Sequence, residues 1–146
     1  MKKIIAIAVL LISSVGFSQI KVVETVPVEK LGRINNDFYV QKVGDEYTFF
    51  FKTTSIDLEE ISLKNFTFKN VDNAYQSLYG IILNGFNASP INDIKLELPN
   101  NFVWLHYIVS SDKTTVQFMV SNKEASSTNV SESLTKEQVD KLFQKS

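Results

Sequence analysis

The chain contains no cysteine. That absence removes disulfides, thiol nucleophiles, cysteine-ligated metals and a lipid anchored on cysteine at a cleavage site together. Histidine and tryptophan occur once each, proline three times and glycine five times, and Arg33 is the only arginine. A catalytic zinc ion needs several protein ligands, commonly histidines, so His106 alone points away from one. No glycine-rich phosphate loop, Gly-x-Ser-x-Gly elbow or His-Glu-x-x-His pair is present. No cofactor and no metal are therefore expected. Lys and Arg total 15 against 16 Asp and Glu, a balance that gives no cationic patch for nucleic acid or an anionic membrane. No apolar run approaches the ~20 residues that span a bilayer.

What is present starts at the first residue. Lys2 and Lys3 precede an apolar run, Ile4 to Ile12, and a small-residue exit, Ser13 to Ser18. This is the pattern of a cleaved signal peptide, residues 1–18, and predicts a periplasmic or extracellular protein. Ser18 and Gly16 suit a cut before Gln19, and a cut after Gly16 is the competing choice. The run ending in Gly16-Phe17-Ser18-Gln19 resembles the leaders of exported Bacteroidota proteins, which implies a bacterial envelope setting. The remaining residues, Gln19 to Ser146, suffice for one self-supporting core.

Residues 19–37 read as an edge strand or amino-terminal arm, because Pro27 cannot donate to a sheet ladder. A single α+β domain follows over 38–146. Phe38 to Val43 and Glu46 to Thr53 form a hairpin about Gly44-Asp45, a two-residue turn whose first position needs positive φ. Ile61 to Phe68 is a third strand whose change of parity predicts a bulge near Lys64-Asn65. Asp72 to Asn84 has helical spacing of apolar residues, with Asp72 as N-cap and Gly85 as C-cap. Gly80 inside it either meets a close neighbour or weakens the helix by ~1 kcal/mol. Ile94 to Leu98 has one wet face. Phe102 to Val109 is apolar on both faces and reads as a central strand. Val116 to Val120 is the last strand, residues 121–133 a polar connector, and Lys136 to Lys145 a helix announced by a Thr135/Gln138 capping box with Leu134 and Val139 as staple.

The expected fold is thus one antiparallel sheet of about six strands, order βββαβββα, with the main helix packed on it. The two halves share no convincing residue pattern.

Eleven phenylalanines and five tyrosines are the strongest compositional signal. Most fall at inward positions of strands. Tyr39, Phe50, Tyr79, His106 and Tyr107 are the candidates for a binding surface, since exposed aromatics grip proteins or stack on sugars. The Asp57, Glu59 and Glu60 cluster has no calcium-loop spacing and reads as solvated turn charge. Asn65-Phe66-Thr67 and Asn129-Val130-Ser131 match the glycosylation pattern without meaning in a bacterial setting.

The preferred reading is a non-enzymatic binding or interaction module of the cell envelope, its partner a secreted or envelope protein or a glycan. The alternative is a small secreted hydrolase using His106 with a nearby carboxylate, which needs a cleft around that ring. A third is a structural envelope protein whose open edge strands extend a partner's sheet.

Overall fold

A computed structural model describes residues 20–54, 62–88, 91–124 and 127–145. The expected leader, Met1 to Ser18, and the Asp57, Glu59 and Glu60 cluster lie outside these residues. The described chain is α+β, but it builds two antiparallel sheets and not one. Strands β1 (Val28–Ile34), β2 (Phe38–Val43), β3 (Glu46–Lys52) and β4 (Leu63–Lys69) form the first, in that spatial order. Strands β5 (Ile94–Glu97), β6 (Asn101–Val109), β7 (Thr114–Asn122) and β8 (Thr128–Val130) form the second. Helix α1 (Ala74–Ala88) follows the first sheet and α2 (Lys136–Leu142) the second. The element order is ββββαββββα, a repetition of architecture without a visible repetition of sequence.

The six-strand expectation fails for two local reasons. Pro27 stands one residue before β1, where it removes no ladder bond, so Val28 pairs Val43 and the edge strand forms. β8 has the sequence Thr-Asn-Val, with no alternation to read, and forms because Met119, Val120 and Ser121 supply its partners. The segment expected to be a polar connector therefore holds a strand.

The hairpin forms as its residues require: Gly44 has φ 61° and Val43 pairs Glu46 across the turn. No bulge interrupts β4, whose pairing with β3 is continuous from Leu63 to Lys69. Leu63 simply points outward, and Phe66 and Phe68 point in.

α1 begins later than its spacing suggests. Asp72 and Asn73 take left-handed conformations, φ 54° and 59°, inside a 3-10 turn. Asn70 serves the helix start instead, its side chain accepting from the Tyr75 amide at 3.0 Å. Gly85 is not a cap. It lies inside α1, where a Cβ would overlap the Tyr107 ring, while Gly80 faces open space. α2 carries the expected box: Gln138 N donates to Thr135 Oγ1 at 3.2 Å, and Thr135 N donates to Gln138 Oε1 at 2.9 Å.

Both sheets turn one face to a shared core. Phe38, Tyr47, Phe49, Phe51, Phe66 and Phe68 line the first, and Val103, Leu105, Val116, Phe118 and Val120 the second. Phe118 joins them, 5.5 Å from Phe38 and 6.1 Å from Phe66 between ring centroids. The backbone joins them too, since Thr54 N donates to Val130 O at 2.9 Å. Each helix bridges the sheets: α1 lies against β6 and β7 while its Tyr75 stacks on Tyr47 of β3, and α2 lies chiefly against β1, touching β2 and β7 less. Phe143, the residue capping α2, packs against Phe49, Tyr75 and Tyr79 and closes the space between them.

Candidate functional site

The shared core occupies the inner faces, and among the described residues the outer face of each sheet and a groove between the sheets meet solvent.

The five residues singled out from the sequence do not gather at one of them. Tyr39 and Phe50 are cross-strand partners on the outer face of the first sheet, their rings stacked at 4.9 Å with the Arg33 guanidinium 4.8 Å from the Tyr39 ring. Gln41 and Thr48 are the neighbouring pair on that face. Tyr79 lies on α1, where its hydroxyl donates to Asp140 at 2.6 Å and pins the two helices together. Burial, with help from that carboxylate, pushes the Tyr79 hydroxyl up to about 12. Tyr107 belongs to the core: it is 7% exposed and its hydroxyl donates to the Ile82 carbonyl at 2.6 Å. Burial there raises its pKa well above the usual tyrosine range.

His106 stands on the outer face of the second sheet, and here the structure departs most from the sequence pattern. β6 is central, paired to β5 and β7. Yet Phe102, Trp104 and His106 are half-buried and Ile108 is exposed, whereas Val103, Leu105 and Tyr107 are buried. The strand is apolar on both faces but only one is sealed. Cross-strand pairing sets Lys95, Trp104, Met119 and Val130 in one row, and Glu97, Phe102, Ser121 and Thr128 in the next. Lys95 Nζ lies 4.2 Å from the Phe102 ring centroid and 5.3 Å from that of Trp104. Lys123 Nζ lies 5.2 Å from Phe102 and 3.0 Å from Glu97 Oε1. An aromatic centre with paired charges around it results.

His106 borders this patch, Nδ1 2.7 Å from Asp93 Oδ1. That contact fixes the ring and supplies an acid beside a base. A hydroxyl on the other ring nitrogen is missing among the hydrogen bonds of the described residues. Among those residues no group of three or more His, Asp and Glu side chains could hold a metal ion.

The groove lies between β4 and β5, the strands that end their respective sheets. It has a volume of about 640 Å³, a floor of Phe68, Leu78, Ile81, Leu96 and Leu98, and a rim carrying Glu46, Lys69 and Glu97. Its walls come from both sheets and α1, so no sequence window contains it. The half-buried Leu96 and Leu98 were its only readable trace.

No helix among the described residues is long and apolar enough to cross a membrane. No known protein family matches the chain, and neither the characterised proteins nor the solved structures offer a relative.

Proposed function

We propose that this protein is an exported, non-enzymatic binding module whose partner is another envelope or secreted protein, held on the outer face of the second sheet. One observation carries the reading: Phe102, Trp104 and Met119 are clustered and half-exposed on the solvent side of paired central strands. Protein interfaces concentrate Trp, Phe and Met at their centre and place polar groups at the rim. Lys95, Lys123 and Glu97 form such a rim, together with the His106–Asp93 pair. A protein partner suits this patch better than a glycan, because a sugar stacks on an open ring face and the Lys95 ammonium sits over both rings. The signal peptide and the bacterial envelope setting belong to the same proposal, and rest on residues 1–18.

Capture on immobilised chain from the envelope fraction of an expressing bacterium tests it. A partner protein retained by the native chain is expected to be lost with Trp104→Ala, at least about tenfold, as befits an interface anchor costing ~2 kcal/mol. Retention unchanged in that variant removes the patch from the function. Retention of polysaccharide in place of protein redirects the reading to a glycan.

The His106–Asp93 contact at 2.7 Å supports a hydrolase as second reading. It requires turnover of an ester or glycoside substrate that His106→Ala abolishes and Trp104→Ala spares.

A further inference from the structure

We infer that the groove between β4 and β5 receives the amino-terminal arm, Lys21 to Val26, of a second copy of this chain. The arm is an apolar exposed segment: Val22 is 81%, Val23 90% and Val26 44% exposed. Val22, Val23, Thr25 and Val26 are all β-branched, the composition of a strand that has no sheet around it. Apolar surface of this kind is buried by a partner in most folded proteins.

The groove supplies what the arm lacks. Its floor is apolar, and β4 and β5 each present an edge unpaired by any described strand. An extended segment entering there satisfies the open backbone groups of an edge while its side chains reach Phe68, Leu78 and Leu96. Charges agree as well. The arm carries Lys21 and Glu24, and the rim offers Glu46 to the first and Lys69 to the second.

The register decides between the molecule's own arm and another's. Val28 pairs Val43, Val43 pairs Glu46, and Glu46 pairs Lys69, so the root of the arm and the groove rim lie at one end of the first sheet. Three strand spacings separate them, about 14 Å. At about 3.3 Å per residue, four or five residues are spent on that crossing. Only Lys21, Val22 and Val23 of the molecule's own arm then arrive at the rim, too few to lie along the groove. The arm of a second copy has no such tether and can lie along the groove for its whole length. Reciprocal insertion closes a dimer, and one-way insertion builds an open chain.

The test is sedimentation of the exported full chain across about a hundredfold range of concentration. The mass is expected to rise with concentration. Val22→Asp with Val23→Asp disables the arm, and Val71→Asp, at a groove-lining position 64% exposed, disables the groove. Exposure at all three positions lets both variants fold, which circular dichroism verifies. Each variant alone is expected to associate at least about tenfold more weakly. Mixing the two restores a one-to-one complex, because one retains a sound groove and the other a sound arm. A monomer at every concentration, association that survives Val71→Asp, or a mixture that fails to associate overturns the inference. Trp104→Ala lies on the other face and leaves self-association intact; loss of association in that variant would place the contact outside the groove.

Discussion

The two sheets have the same strand order and opposite packing chemistry. The first is filled by rings: Tyr47 stacks on Tyr75 at 4.2 Å, and Phe49 on Phe66 at 5.0 Å. The second is filled mainly by branched aliphatics, Val103 facing Val120 and Leu105 facing the ring of Phe118. Ring pairs add ~0.5–1.5 kcal/mol beyond their buried area but demand set geometry, whereas aliphatics exchange places at little cost. The outer faces differ as well. On the first sheet one stacked pair, Tyr39 and Phe50, sits beside Gln41 and Thr48; on the second, Phe102, Trp104 and Met119 form a broader apolar centre. One meander thus holds the core in register with rings, and the other leaves its aromatic side chains half-open to solvent. Neither half closes alone, since α1 reaches β6 and β7 of the second sheet and α2 bears chiefly on β1 of the first.

Helix packing on the sheets is broken most severely at two glycines. A Cβ on Gly32 of β1 would overlap the Leu142 carbonyl of α2, and one on Gly85 of α1 would overlap the Tyr107 ring of β6. Backbone yields less readily than a ring. Gly32→Ala is expected to cost ~3 kcal/mol or more and Gly85→Ala ~2 kcal/mol, measured by urea denaturation. If either substitution is neutral, that helix does not bear on the sheet as closely as described.

Two tyrosines sharpen the comparison at smaller cost. Tyr107 donates to Ile82 O, while the buried Tyr75 hydroxyl has no partner among the described residues. Tyr107→Phe should lose about 1 kcal/mol and Tyr75→Phe almost nothing, because only the first removes a bond. Burial, then the neighbouring Tyr47, pushes Tyr75 up to about 12, and burial raises Tyr107 further. A folded pKa above the unfolded value near 10 means the neutral hydroxyl is favoured by folding. Its stabilisation is full below about pH 10 and is lost as pH climbs through the folded value. Melting temperature should hold to about pH 10 and fall beyond, less steeply in Tyr75→Phe; an equal fall in that variant assigns the alkaline limb elsewhere.

What the sequence disclosed follows from how local each signal is. The Gly44-Asp45 turn and the Thr135/Gln138 box act within four residues, and both stand in the structure as read. Asp72 and Gly85 have the residue types of caps, but the determinants are Asn70 at the helix start and the distant Tyr107 against Gly85. β8 was invisible since its pairing residues lie on β7. Division into two sheets was hidden for the same reason: periodicity reports which side of a strand is apolar, not which neighbour it chooses. Of the candidate surface residues, Tyr39 and Phe50 come together because they are partners in a hairpin, the one tertiary contact legible from a turn. Trp104 is not singled out by the pattern, since its strand is apolar on both sides and nothing tells a sealed face from an open one.

Gly80 supplies the smallest and most direct test of how α1 serves the two sheets. Within one helix, Gly85 is required by contact and Gly80 is not: no atom beyond the helix's own backbone lies within 4 Å of a Cβ there. A helical glycine without a close neighbour retains only its entropic cost, about 1 kcal/mol relative to alanine. Gly80→Ala should therefore raise stability by up to that amount, moving the denaturation midpoint without changing its slope. The double variant Gly80→Ala with Gly85→Ala should show simple addition, because five positions separate the two on the helix and only one meets β6. A loss of stability in Gly80→Ala would mean that α1 must bend or open at that residue, and the helix would then be a moving part between the sheets and not a fixed wall of the groove.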